Sequence, residues 1–512
     1  MGKSSLLVEN DECCDYKESE VYPELTPLVE CDNKSNKNKL LSKQPTNEIL
    51  KPMSESDKLS ELMRAIDDKG FNKAIKYMME RVRAEEQIIE IKYELNCFSD
   101  EGALALFQAV KNVTGTCDLT ATEEMSGDNV PELIDVCLPN DERVKIPWGR
   151  VALPSFDKES YLDMEYSDCD VQLIVTGTIK MKFEPEVKLI IDEAKRILNE
   201  ESIYKGQAVS LEFDNDGDAE EPEFINFNNI HEDKILLSSI AKEGLMPIMA
   251  RIEHTQRCVD EGLDLKYGAL MEGTYGTGKT LLAFMIGKIA TLNGWTFIYL
   301  KDCTHLAQTL KIAENYTKTM KGVVVFSEDI DQTLRGDRNK HMQDILNTID
   351  GGDTKQTSII SIFTTNHIEL IEPTFMRGKR IGGLISLGPL DEETAPQFIN
   401  KFVVNDKGDC LMDDTSEIES AAKCLIGVVP AFASEIIDKA KAFMISRNGE
   451  RISTKDIESA ANSYKRQMAH ATLKKTDKED GQLIKALNYL MNCTLKGVKT
   501  GPFNLSDETK PI

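Results

Sequence analysis

Residues 273–280 read Gly273-Thr274-Tyr275-Gly276-Thr277-Gly278-Lys279-Thr280 and match the spacing GxxxxGK[ST]. A loop that wraps a polyphosphate with its own backbone N–H groups must turn where side chains obstruct, so it needs the free dihedrals of glycine. The apolar run Gly268-Ala269-Leu270-Met271 precedes it as a strand, and residues 280–292 follow as a helix whose positive end faces the loop. In that setting Lys279 reaches the β- and γ-phosphates and the Thr280 hydroxyl takes a magnesium ion. The candidate cofactors are therefore ATP and Mg2+. The candidate contact segment is Gly273, Thr274, Tyr275, Gly276, Thr277, Gly278, Lys279, Thr280 and Leu281.

Downstream, Val323-Val324-Val325-Phe326-Ser327 ends in Glu328-Asp329-Ile330-Asp331. A buried strand ending in acids puts carboxylates at the C-terminal edge of a sheet, where open α/β sheets bind ligands. Glu328 is the candidate for the magnesium hydration shell, and Asp329 for the acid that orients the attacking water. The usual order is Asp then Glu. The swap shortens the second arm by one methylene, about 1.5 Å, so Asp329 must sit closer to the water or lean on a neighbour. A third buried run, Ile359 to Phe363, ends in Thr364-Thr365-Asn366. Asn366 can bond the attacking water or the γ-phosphate, or simply close a strand-end turn. Glu372 to Arg380 then carries Arg377 and Arg380, three apart. Arginine forks suit phosphoryl groups, although an isolated RGKR cluster is more often a solvated basic patch.

Short apolar strands at Tyr267–Met271, Trp295–Leu300, Val323–Phe326, Ile359–Phe363 and Leu384–Leu387 alternate with helical segments. That pattern predicts a parallel sheet covered on both faces. The expected fold is an α/β P-loop NTPase with a five-stranded parallel sheet flanked by helices, over residues 224–390. An all-helical lid over 391–470 and a polar tail over 471–512 follow it. Upstream, residues 1–56 are polar and acidic, and are expected to be disordered. Residues 57–210 mix helical and strand-like periodicity: a helix over 57–90, a strand from Ile88 to Leu95, a helix from Asp100 with Ser99 or Asp100 as N-cap, and a helix from Val187 to Asn199. They read as a small α+β domain that recruits the target. Residues 211–223 read as an acidic linker. Its Asp214-Asn215-Asp216-Gly217-Asp218 run is no calcium loop, because the sixth and twelfth positions are Ala219 and Ile225 rather than Gly and Glu.

The composition narrows the partners. A net charge of −26 repels phosphate backbones unless a basic patch intervenes, so nucleic acid is not the default partner. No apolar run is long enough for a membrane span, and the N-terminus lacks a secretory core. Leu6 stands where a myristoylation signal requires Ser or Thr. The twelve cysteines form no CxxC pair and read as reduced thiols. The expected compartment is the cytoplasm.

With these residues in place, the sequence resembles the AAA family of ATPases over residues 224–470. The resemblance rests on GTYGTGKT at 273–280, VVVFSEDID at 323–331, SIFTTN at 361–366 and IEPTFMRGKR at 371–380. ILNTIDGG at 345–352 also resembles the family's stretch before sensor 1. The resemblance implies a homo-oligomeric ring, usually a hexamer, with ATP at each subunit junction and a small helical lid. It makes Asn366 the sensor 1 residue, Arg377 and Arg380 arginine fingers given in trans, and Arg338 a ring-interface residue. In its Glu-Asp order the chain resembles the mitochondrial Rieske-protein translocase. It also resembles bacterial and phage AAA proteins with EDID strands, which extends the expected compartment to the cytoplasm of a phage-infected cell. Only Lys301 to Gly322 separate two of the strands, and no aromatic pore loop is evident there, with Tyr316 on the predicted helix. This counts against threading of unfolded polypeptide. The leading expectation is an ATP-driven remodeller or translocase acting on an unidentified protein target. The alternatives are a nucleic-acid-associated motor or loader, and a nucleotide switch with low turnover.

Overall fold

The computed structural model describes residues 71–115, 120–121, 132–167, 171–228, 230, 235–317, 321–333, 358–371, 381–405, 408–412 and 415–474. The expectations for residues 1–56, Arg338, the 345–352 stretch, Arg377, Arg380 and the tail beyond Lys474 lie outside them.

Alternation builds the N-terminal layer. The strand Gln172–Lys180 buries every second residue, so Leu173, Val175 and Ile179 face one side. It pairs antiparallel with Ile88–Asn96 and with Tyr161–Ser167 in a five-stranded sheet. The helices Ser99–Thr114 and Glu184–Glu201 cover that face, with Ala105, Leu106, Ala109 and Val110 meeting Val187, Ile190, Ile191 and Ala194 in one core. The N-terminus of Ser99–Thr114 departs from the expected local cap. The backbone N–H groups of Ser99 and Asp100 donate to the carboxylate of Glu221, 2.7 and 3.2 Å away, which comes from more than a hundred residues downstream. A helix end needs an acceptor, and tertiary structure supplies it here.

The second sheet has seven strands in the order Gly383–Ser386, Tyr267–Glu272, Ile359–Thr365, Val323–Ser327, Thr296–Leu300, Ala208–Leu211 and Glu223–Phe224. The first six run parallel, and Glu223–Phe224 closes the edge antiparallel. This corrects the expected five strands. Ala208–Leu211 is buried at all four positions and pairs with Phe297 to Leu300, so it belongs to this sheet. The acidic stretch after it, expected as a linker, is the connection of an edge hairpin. Within it, the Asp214 carboxylate accepts the N–H groups of Asp216 and Asp218, an Asx-type turn. Four residues are too few to show a period, so the strand leaves no periodic signal in the sequence.

Beyond the sheet, helices Thr394–Phe402, Thr415–Leu425, Pro430–Ser446 and Thr454–Lys474 surround a separate apolar core that includes Phe398, Leu425, Ile436, Ile437 and Ile457. No described helix is long and apolar enough to cross a membrane.

Candidate nucleotide-binding site

Register brings the site together. Glu272 lies opposite Thr365, and Ser327 lies opposite Phe363. The loop after Glu272, the acids after Ser327 and the polar end of Ile359–Thr365 therefore emerge side by side at the sheet's C-terminal edge.

The loop has the backbone its glycines allow. Gly276 and Gly278 adopt φ of 80° and 93°. A Cβ on Gly273 would sit 2.1 Å from the Leu387 carbonyl oxygen, closer than any real contact. The helix Lys279–Leu292 starts directly after Gly278, and Leu282, Ala283, Ile286 and Ala290 anchor it. Its first turn lines the cleft, and the free N–H groups of a helix start suit an anion.

Lys279 is nearly buried, at 8% exposure. Its Nζ donates to the carbonyls of Gly273 (2.7 Å) and Thr274 (3.2 Å) and to Asn366 Oδ1 (2.7 Å). Burial pushes its pKa down from the ordinary value, while Asp329, Asp331 and Glu328 pull the other way. Asn366 Nδ2 in turn donates to Asp329 Oδ1 at 2.7 Å, so lysine, amide and second acid form one chain. The backbone N–H of Asp329 donates to Thr364 Oγ1 at 2.9 Å, and Asp329 itself has φ of 45°. This is the left-handed region, which Asp tolerates better than most residues. Asp331 is buried beneath. Its Oδ1 accepts from Thr365 Oγ1 (2.9 Å) and from the Asn366 N–H (3.3 Å), which fixes the end of that strand.

The other acid is tied to the loop. Thr280 Oγ1 donates to Glu328 Oε1, and Tyr299 OH donates to Glu328 Oε2 at 3.0 Å. A hydroxyl and a carboxylate in contact at a phosphate loop are hard oxygen donors of the kind Mg2+ takes alongside substrate phosphates, so Thr280 and Glu328 fit the ion. Among the described residues no group of three or more His, Cys, Asp or Glu side chains could hold a metal by itself.

The cleft has a volume of ≈ 560 Å³. Its floor comprises Tyr275 to Leu282, Glu328, Asp329 and Asn366. Its far wall comes from Ile235, Leu236 and Leu237, from Phe398 and Phe402, and from Pro430, Ala431 and Ser434 at the start of a lid helix. The Ala431 N–H donates to the Gly276 carbonyl at 3.1 Å, joining lid to loop. The structure thus brings together Gly273 to Leu281, Glu328, Asp329 and Asn366. The apolar wall and Tyr299 are absent from the sequence-based site. Gly427 followed by Pro430 at a helix start is the one available signal for the lid contribution.

Residues 269–389 match the family described as "ATPase family associated with various cellular activities (AAA)". The chain is similar to "ATP-dependent zinc metalloprotease FtsH" of Leuconostoc mesenteroides, 23% identical over 43% of this chain and 33% of that protein. The FtsH of Thermus thermophilus is 26% identical over 43% of this chain and 37% of its own length. The "26S proteasome regulatory subunit 8 homolog" of Encephalitozoon cuniculi is 25% identical over 46% of this chain and 60% of its own length. The chain therefore spans about a third of the length of the FtsH relatives it matches. It carries an AAA ATPase domain, and the ATP-dependent relatives support ATP hydrolysis by that domain.

Proposed function

We propose that this chain binds ATP and Mg2+ in the cleft between the 273–280 loop and the helical lid, hydrolyses the ATP, and works as a homo-oligomeric ring, expected to be a hexamer, that remodels or moves protein assemblies. The observation that carries the reading is the continuous bonding of Lys279 to Asn366 to Asp329, beside the Thr280–Glu328 pair, in one cleft.

In this reading the loop N–H groups and Lys279 take the triphosphate, so Lys279 exchanges its loop carbonyls for phosphate oxygens. Thr280 and Glu328 would hold Mg2+, which when bound would supply positive charge to offset that of the phosphates. Asp329 accepts a hydrogen bond from the attacking water and lowers its cost of deprotonation, while Asn366 keeps that carboxylate and the water in line. Arg377 and Arg380 of a neighbouring subunit complete the charge stabilisation. The Glu-Asp order resembles that of the Rieske-protein translocase and of the bacterial and phage group, which favours remodelling of assemblies. So does the acidic net charge of −26, which disfavours a nucleic-acid track.

The test measures ATP turnover at low salt with and without single-stranded and duplex DNA, alongside the oligomeric state in ATP by analytical ultracentrifugation. The expected result is Mg2+-dependent turnover by a ring, insensitive to DNA and absent in Lys279→Ala. Strong stimulation by DNA overturns the remodeller reading, and turnover by a monomer overturns the ring.

A further inference from the structure

Glu328 is held on both oxygens. Thr280 takes one from the loop side, and the phenol of Tyr299 takes the other from within the sheet, at 3.0 Å. Tyr299 is not among the residues lining the nucleotide cleft, so it reaches the site through Glu328. Its placement follows from register. Tyr299 lies directly opposite Phe326 on the neighbouring parallel strand. Their rings stack at 5.5 Å with 19° between planes, and Phe284 of the loop helix meets Tyr299 edge-on at 5.2 Å. The ring is locked by packing, and its hydroxyl reaches the carboxylate that follows Phe326 by two residues.

A glutamate in the first acidic position has one more rotatable bond than an aspartate there, and ordering it costs side-chain entropy. A rigid donor on one oxygen removes that freedom in advance and leaves the other oxygen directed at Thr280. Resting on the reading of Thr280 and Glu328 as the magnesium pair, we propose that Tyr299 is a positioning residue that fixes the Glu328 carboxylate for the metal and so adapts this site to its swapped acids.

The test is equilibrium binding of a fluorescent ATP analogue, with Mg2+ titrated from an EDTA baseline, in the full chain. Tyr299→Phe keeps the ring and removes only the hydroxyl. The expected result is unchanged affinity in EDTA and a Mg2+ midpoint raised roughly tenfold, the usual scale for losing a residue that orients a metal ligand. An unchanged Mg2+ midpoint in Tyr299→Phe, with Glu328→Gln strongly shifted, overturns the role of Tyr299 and leaves the magnesium pair standing. Equal weakening of Tyr299→Phe with and without Mg2+ marks a merely structural residue and also overturns it. A midpoint unmoved by Glu328→Gln sinks the magnesium pair itself, and the proposal with it.

Discussion

Glu101 ties the N-terminal layer to the ATPase sheet, and its burial makes the tie sensitive to pH. The carboxylate is 4% exposed. It accepts from the Phe98 N–H at 3.2 Å, from Ser202 Oγ, and from the hydroxyl of Tyr316 at 2.8 Å, at the end of helix Leu306–Tyr316. Burial, only partly offset by the three donors, and the Glu221 carboxylate nearby raise its pKa from 4.5 to about 7. Below about pH 4.5 the group is protonated folded and unfolded, and burial of charge costs nothing. Between about 4.5 and 7 the unfolded chain sheds a proton that the folded chain keeps, so stability falls as pH rises. Above that window the cost is constant, about 3 kcal/mol from the shift of the pKa. Glu101→Gln stays neutral throughout, so its stability should fall less over that window, by an amount on the order of 3 kcal/mol. Amide hydrogen exchange of helix Ser99–Thr114, compared with wild type from about pH 5 to 7.5 after correction for intrinsic exchange, reads this locally. Parallel profiles for the two proteins would refute the reasoning. Glu101→Ala is a separate perturbation. It strands the buried Tyr316 hydroxyl and Phe98 N–H, at about 1–3 kcal/mol each, and should loosen the layer at every pH.

Three further outcomes bear on the site. Gly273→Ala drives a methyl group into the Leu387 carbonyl and should abolish ATP binding, measured by calorimetry, while circular dichroism shows the sheet retained. Asp329→Asn should bind ATP with near-normal affinity and lose roughly 10²-fold or more in turnover, as expected for loss of a group that orients the nucleophile; normal single-turnover rates would remove Asp329 from the chemistry. Arg377→Ala should leave binding intact and stop hydrolysis, and mixing it with Asp329→Asn subunits should restore some turnover if the arginine acts in trans; no recovery in mixed rings would count against that role.

The 273–280 loop is legible in the sequence because its pattern is local: glycines where the backbone turns to positive φ, and lysine and threonine at the start of a helix. The acids and Asn366 are legible because buried five- to seven-residue runs end in polar groups, and register in a parallel sheet sets such ends side by side. The far wall of the cleft is not. Ile235, Leu236, Phe398 and Phe402 are apolar residues in apolar patterns, and nothing in their spacing separates a cleft-lining side chain from a core one. Ala208–Leu211 is lost to its length, and the acidic run after it reads as a linker because its local charge conceals a hairpin. Glu221 cannot be foreseen as the cap of a helix over a hundred residues earlier, since capping by a distant side chain leaves no local signal.

The swapped acids, which look like a weakness in the sequence, have a physical account in the backbone. The longer Glu328 arm is clamped at both oxygens by Thr280 and Tyr299. The shorter Asp329 arm is re-aimed by a left-handed residue, with φ of 45°, whose N–H is tied to Thr364 and whose carboxylate reaches Asn366 at 2.7 Å. A left-handed conformation costs an ordinary L-residue roughly 1–2 kcal/mol, and Asp among the least, because its short side chain can bond locally. Restoring the usual order by Glu328→Asp with Asp329→Glu should therefore not restore a better enzyme. The shortened first acid would fall short of the Tyr299 hydroxyl, and the lengthened second acid would bear the left-handed strain while overshooting Asn366. Turnover in the double variant should drop roughly tenfold or more with nucleotide binding preserved, the scale set by misplacing groups that orient the metal and the water. A double variant as fast as wild type would show that neither the phenol clamp nor the left-handed turn is an adaptation to the swap.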